Sequence, residues 1–166
     1  QIELTVNWSV SFFYSMSIDR LIIRKVNKDD IDEIYFIEKE SFDNPWSYKN
    51  ILHELNLKFS IFILAEIDES ITGYAIAWQV QDELQLNKIA VKEEYRRMDI
   101  GTRLCNSLME MTEEPAKRIF LEVREKNVAA QLFYQKLGFN TVGFRKEYYK
   151  TDNALLMEKR LPVNED

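Results

Sequence analysis

The chain has 166 residues, 46% of them apolar, which suffices for one domain with a substantial core, and its four glycines and three prolines leave little room for a flexible linker. A formal net charge of −6 speaks against a general nucleic-acid binder, and the lack of a long uninterrupted apolar run speaks against a membrane span. The one cysteine, Cys105, excludes an intrachain disulfide and fits a reducing cytosol.

The opening stretch QIELTVNWSVSFFYS is rich in aromatic residues (Trp8, Phe12, Phe13, Tyr14), with Met16 just after it. It lacks the basic start and small-residue cleavage site of a signal peptide. Two readings stand: an extension upstream of a start at Met16, or an apolar arm covering part of the fold. Leu21–Val26 then reads as a strand. Asp29–Ser41 reads as an amphipathic helix, with Ile31, Ile34, Tyr35, Ile37 and Phe42 as candidate core. Pro45 breaks the chain, and Ser47 caps a second helix running to about Leu57. Ser60–Ile67 and Thr72–Val80 read as strands joined by a tight turn near Asp68–Ser70. Glu83–Val91 is a further strand, followed by a polar loop, Lys92–Ile100. A helix from about Gly101 to Glu113 comes next, ended by Pro115.

Leu121–Phe139, LEVREKNVAAQLFYQKLGF, carries most information. Ile119, Leu121 and Val123 alternate with Phe120, Glu122 and Arg124, as in a strand. Ala130, Leu132, Phe133 and Leu137 then recur at helical spacing, with Asn127 as N-cap and Gly138 as a left-handed stop. Two final strands complete the chain, with no internal repeat. A carboxylate leaves the strand at Glu122 and a phenol sits near the end of the helix at Tyr134. A strand–helix unit that aims both at one cleft can transfer protons. For an isolated pair, a surface ion pair and a packed tyrosine are the commoner roles. His53 reads as a surface helix residue with no second histidine to make a metal pair, so no metal is expected. Cys105 reads as packed, not nucleophilic.

These residues resemble the C-terminal half of the GNAT acetyltransferases, in particular the ribosomal-protein-alanine N-acetyltransferases (RimI type). DNPWS at Asp43–Ser47, NKIAVKEEYRRMDIG at Asn87–Gly101, RKEYY at Arg145–Tyr149 and NALLMEKRL at Asn153–Leu161 extend the resemblance over about residues 20–161. It implies a domain over 20–166, preceded by an extension over 1–19. The implied fold is α/β, a mixed twisted sheet with helices on both faces. The implied reaction moves acetyl from acetyl-CoA to an amine, in the cytoplasm. The implied acceptor is a protein N-terminus, a ribosomal protein being the nearest candidate, with neither nucleic acid nor membrane as direct partner. Oligomerisation through the extension stays open.

The resemblance also assigns residues. Glu122 is implied as the base and Tyr134 as the acid. Ile89, Ala90 and Val91 would pair through their main chains with the pantetheine arm, as a missing strand would. Arg96, Arg97, Met98, Asp99, Ile100, Gly101 and Thr102 would hold the pyrophosphate at a helix N-terminus. Asn127 is either a further contact to CoA or only a helix cap. Pro45, Trp46, Tyr148 and Tyr149 would flank the peptide entrance. Two departures stand out. Asp99 replaces the first glycine of the pyrophosphate motif. A left-handed backbone there would cost about 1–2 kcal/mol. A carboxylate beside phosphate would add about 1 kcal/mol per charge pair at 4 Å in water. Either the carboxylate turns onto Arg96, Arg97 or Arg103, or acetyl-CoA affinity falls. Thr151-Asp152-Asn153-Ala154 stands where the family usually has Gly-Glu-Asp-Ala.

The acceptor follows from proton chemistry. Only a neutral amine attacks a thioester. With a pKa of about 8, roughly a quarter of an α-amine is neutral near pH 7.5, against about a thousandth of a lysine at about 10.4. An N-terminal acetyltransferase therefore needs only a modest base. Lysine or small-amine acetylation, and a non-catalytic acyl-CoA-binding module, are the alternatives.

Overall fold

Apolar alternation along successive strands builds a seven-stranded sheet that is covered on both faces. The computed structural model describes residues 20–149 and 152–162, leaving aside the side chains of 147–149. The extension over 1–19 lies outside the described residues. In chain order the elements are β1 (Leu21–Lys25), α1 (Ile31–Ser41), α2 (Tyr48–Glu54), β2 (Ser60–Ile67), β3 (Ser70–Val80), β4 (Glu83–Val91), α3 (Ile100–Glu110), β5 (Arg118–Arg124), α4 (Val128–Lys136), β6 (Asn140–Tyr149) and β7 (Asp152–Arg160). Among the described residues no helix is long and apolar enough to cross a membrane.

The two cores follow from strand alternation. Ile63, Ala65, Ala75, Ala77, Leu84 and Leu86 face α3 and α4, packing with Ile100, Leu104, Leu108 and Tyr134. Phe62, Leu64, Tyr74 and Ile76 face the other way, against Ile31, Ile34 and Ile37 of α1 and Ile51 of α2. Cys105 is buried in the first core, where desolvation pushes its thiol up to about 12, so it is packed and inert. Gln79 reshapes the end of α3. Its side chain accepts from Glu113 N–H at 2.9 Å and donates to the Glu114 carbonyl at 2.8 Å, so the helix stops at Glu110, well before Pro115. α2 also stops short of Leu57. Asn56 N–H turns back to the His53 carbonyl at 2.9 Å, and the Glu54 carboxylate is claimed by Ser60 and Trp78.

The strand order is β1-β2-β3-β4-β5-β7-β6, and every neighbouring pair is antiparallel except β4 with β5. That parallel ladder is short. It joins Glu83–Leu86 to Arg118–Leu121 and goes no further, although both strands continue. Its closed end is clasped by Arg118, whose Nε donates to Glu83 at 2.8 Å, and by a Lys117–Asp82 ion pair of 2.8 Å. Beyond Leu86 and Leu121 the strands fork. On the β3 side, the register steps from Ala77↔Leu86 to Ile76↔Lys88, leaving Asn87 as the extra residue of a β-bulge. The fork is the architectural origin of the site.

Candidate active site

A cleft of about 1360 Å³ opens where β4 and β5 part. Asn87–Val91 line one wall and Glu122–Arg124 the other, with the N-terminus of α3 and the inner side of α4 completing it. The main chain of 88–91 keeps its pairing to β3, and 87–91 has none to β5. Ile89, Ala90 and Val91 all line the cleft.

Glu122 and Tyr134 both reach this space. Glu122 lies between Leu121 and Val123, which point into the α3/α4 core, so its side chain leaves by the opposite face. Its Oε1 meets Arg145 Nη1 at 2.8 Å. Tyr134 enters from the α3/α4 side, buried and wedged by Phe133 and Phe139 with ring centroids 5.1 and 5.6 Å away. α4 is set by its ends. Asn127 Oδ1 caps Ala130 N–H at 3.1 Å, and Gly138 takes the left-handed turn at φ 89°. The Asn127 oxygen is therefore engaged in capping, although the residue lines the cleft. Leu132, one of the apolar residues at helical spacing, is 53% exposed and lines the cleft.

The loop before α3 carries the strained backbone. Arg97 and Asp99 both have positive φ, 62° and 61°, as non-glycine residues rarely do. Asp99 occupies the N-cap yet makes no capping bond, so the first N–H groups of α3 face the cleft without a side-chain partner. Its carboxylate is exposed and forms no ion pair among the described residues, so of the two alternatives the turn onto a neighbouring arginine is not the one seen. Arg96 Nε donates to the Val91 carbonyl at 3.2 Å, tying the loop to the end of β4. Arg96, Arg97, Asp99, Ile100, Gly101 and Thr102 line the cleft. Met98 does not: it is 6% exposed and packs in the α3/α4 core, leaving only its main chain for a ligand.

Residues 29–139 match the acetyltransferase (GNAT) family. The chain belongs to that family. It is similar to the provisionally named ribosomal protein bS18-alanine N-acetyltransferase of Bacillus subtilis, 40% identical over 140 residues that cover 81% of this chain and 92% of that one. The ribosomal protein bS18-alanine N-acetyltransferase of Escherichia coli K12 is 31% identical over 147 residues, covering 86% and 97%. A crystal structure of the Escherichia coli ribosomal-protein-S18-alanine enzyme superposes with a TM-score of 0.80 at 27% identity, covering 88% of this chain and 97% of that one. The protein is thus an N-acetyltransferase, and acetyl-CoA is its acetyl donor. The unpaired edge of 87–91, the uncapped start of α3 and the exposed Arg96 and Arg97 suit that donor's amide-bearing arm and anionic pyrophosphate.

The acetyltransferase cleft has a second end, toward α1, whose key residues the sequence reading passed over. The carboxylate of Glu38 is completely buried. It accepts from Trp46 N–H at 2.6 Å, from Lys88 Nζ at 2.7 Å and from the Tyr74 hydroxyl. Burial, and then the Glu38 charge, hold the Tyr74 phenol far above its ordinary range. Lys88 Nζ also sits 3.9 Å from the Phe42 ring centroid and 5.3 Å from that of Trp46. Trp46 is thereby fixed at the cleft, whereas Pro45 is exposed and does not line it. One signal was present: Glu38 falls on the apolar stripe of Ile31 and Ile34, where a carboxylate needs a partner. The backbones of Tyr148 and Tyr149 close β6; their side chains lie outside the described residues.

Proposed function

We propose that this acetyltransferase modifies the N-terminal α-amine of a protein, with a ribosomal protein of the bS18 type beginning in alanine as its acceptor. The observation that carries the reading is that Glu122 and Tyr134, from opposite faces of the sheet, both line the cleft opened by the fork of β4 and β5. The names of relatives 40% and 31% identical over most of the chain support the choice of acceptor.

Bound in the cleft, acetyl-CoA supplies an activated thioester. The main chain of 89–91 holds its arm as an added strand, and the N–H groups at the start of α3, with Arg96 and Arg97, hold its phosphates. Glu122 takes the proton that the attacking amine sheds, directly or through a water molecule. Tyr134 offers a phenolic proton to the departing sulfur. Trp46, at the cleft, flanks the incoming peptide together with Pro45, Tyr148 and Tyr149 in this reading. Transfer is direct, with no covalent enzyme intermediate, and most of the acceleration comes from positioning.

The test offers acetyl-CoA with a peptide beginning in alanine, and with an N-terminally blocked peptide carrying lysine. Mass spectrometry follows both products. The alanine peptide is acetylated faster; faster acetylation of the blocked peptide would overturn the reading.

A further inference from the structure

Asn87 and Glu122 are the first residues beyond the fork, each following the last paired residue of its strand, Leu86 and Leu121. Asn87 is the bulge residue, half-buried, and it lines the cleft. Its Nδ2 is covered and has no hydrogen-bond partner, the one such side-chain atom among the described residues. A covered N–H without an acceptor is rare, because the group has lost its water and gained nothing. Bulges beside active sites commonly re-aim a side chain. The adjacent polar groups are already committed: Lys88 to Glu38 at 2.7 Å, and Glu122 to Arg145 at 2.8 Å. Asn87 therefore carries an uncommitted donor one residue beyond the fork, as Glu122 is on the other strand, with its Nδ2 turned into the protein.

We propose that Asn87 donates a hydrogen bond to the first carbonyl of the acceptor peptide and so selects an N-terminus over a lysine. The inference rests on the α-amine reading above. In an N-terminal residue the carbonyl carbon is two bonds from the attacking nitrogen. A lysine side chain has only methylenes there. A donor beside the reacting amine can thus tell the two apart, where a purely apolar slot would accept both. The terminal torsion of asparagine is broad and two-fold, so half a turn of the carboxamide brings its NH₂ group to the cleft. The oxygen then becomes the covered atom, an orphan that proteins tolerate better than an N–H. Sites built to bond a polar group discriminate against analogues lacking it more strongly than shape alone allows.

The test is a cycle of two enzymes and two substrates. The enzymes are wild type and Asn87→Leu. The substrates are an alanine-starting peptide and the same peptide with its first amide replaced by an (E)-alkene, which keeps the geometry and removes the carbonyl. The expected wild-type loss of kcat/KM on the alkene is roughly tenfold. Asn87→Leu treats both substrates alike, each rate being taken at saturating acetyl-CoA on a variant shown by thermal unfolding to be folded. If Asn87→Leu does not fold, Asn87→Ala enters the same cycle. Equal wild-type rates on the two peptides, or discrimination that persists in the variant, would overturn the role of Asn87. Failure of wild type to acetylate the alanine peptide at all would instead overturn the α-amine reading.

Discussion

That Glu122 and Tyr134 line one cleft was legible because one strand–helix unit carries both, and that unit has its own start and stop in Asn127 and Gly138. Replacing Glu122 by Gln or Tyr134 by Phe removes a proton acceptor or donor while keeping shape. Each should lower kcat by about 10²–10⁴-fold, with Glu122→Gln at the low end if water relays its proton. Acetyl-CoA affinity should stay nearly constant, and steady-state kinetics with calorimetric titration check both. Wild-type turnover in folded variants would return the pair to packing and surface charge. Asp99 was legible as an anomaly, and its backbone is left-handed at φ 61°. Asp99→Gly removes that strain and a like charge near the phosphates, each about 1 kcal/mol or more. The added freedom of glycine costs less than about 1 kcal/mol. Acetyl-CoA should bind several-fold tighter, with a gain that shrinks as salt rises. Titration at two salt concentrations decides it, and unchanged binding would mean that the carboxylate stays clear of the phosphates.

At the scale of elements, strands were read more faithfully than helix ends. Ser60–Ile67 and Glu83–Val91 stand as expected, since period-two alternation is a local property. β3 begins at Ser70 instead of Thr72 because Asp68 and Glu69, at φ 50° and 65°, make a two-residue hairpin turn that pairs Ile67 with Ser70. The end of α3 was not legible, because Gln79 lies more than 30 residues from the backbone it captures. Gly73 shows what β3 does for the cleft. A Cβ there would lie 2.6 Å from the Ala90 carbonyl oxygen, on the strand that lines the site. Gly73→Ala should push Ala90 and Val91 out of place, cost about 1–3 kcal/mol of stability, and weaken acetyl-CoA binding. Denaturant unfolding and titration test the two effects, and a variant unchanged in both would show that the sheet yields at no cost.

Across the whole molecule, the buried pair of Glu38 and Lys88 fastens α1 to β4 over a separation of 50 residues, which no local pattern announces. Lys88→Met leaves a carboxylate at 0% exposure without its counter-charge. Breaking a buried pair from one side costs about 3–5 kcal/mol. For a domain of this size the melting temperature should fall by roughly 6–20 °C. Thermal unfolding reads it directly, with Glu38→Gln in the same chain expected to recover part of the loss. An unchanged midpoint would mean that the pair contributes nothing. The bulge has a wider consequence. Leu84 and Leu86 point to α3, and so do Ile89 and Val91, although even and odd positions of an unbroken strand would point to opposite sides. The apolar pattern of β4 thus contains a skipped beat, and Asn87 is the beat that is skipped. A chain lacking that one residue would alternate without interruption from Leu84 to Val91. β4 would then be free to run straight and extend its ladder along β5. The sheet would gain hydrogen bonds, and the acetyltransferase would lose the opening in which both substrates meet.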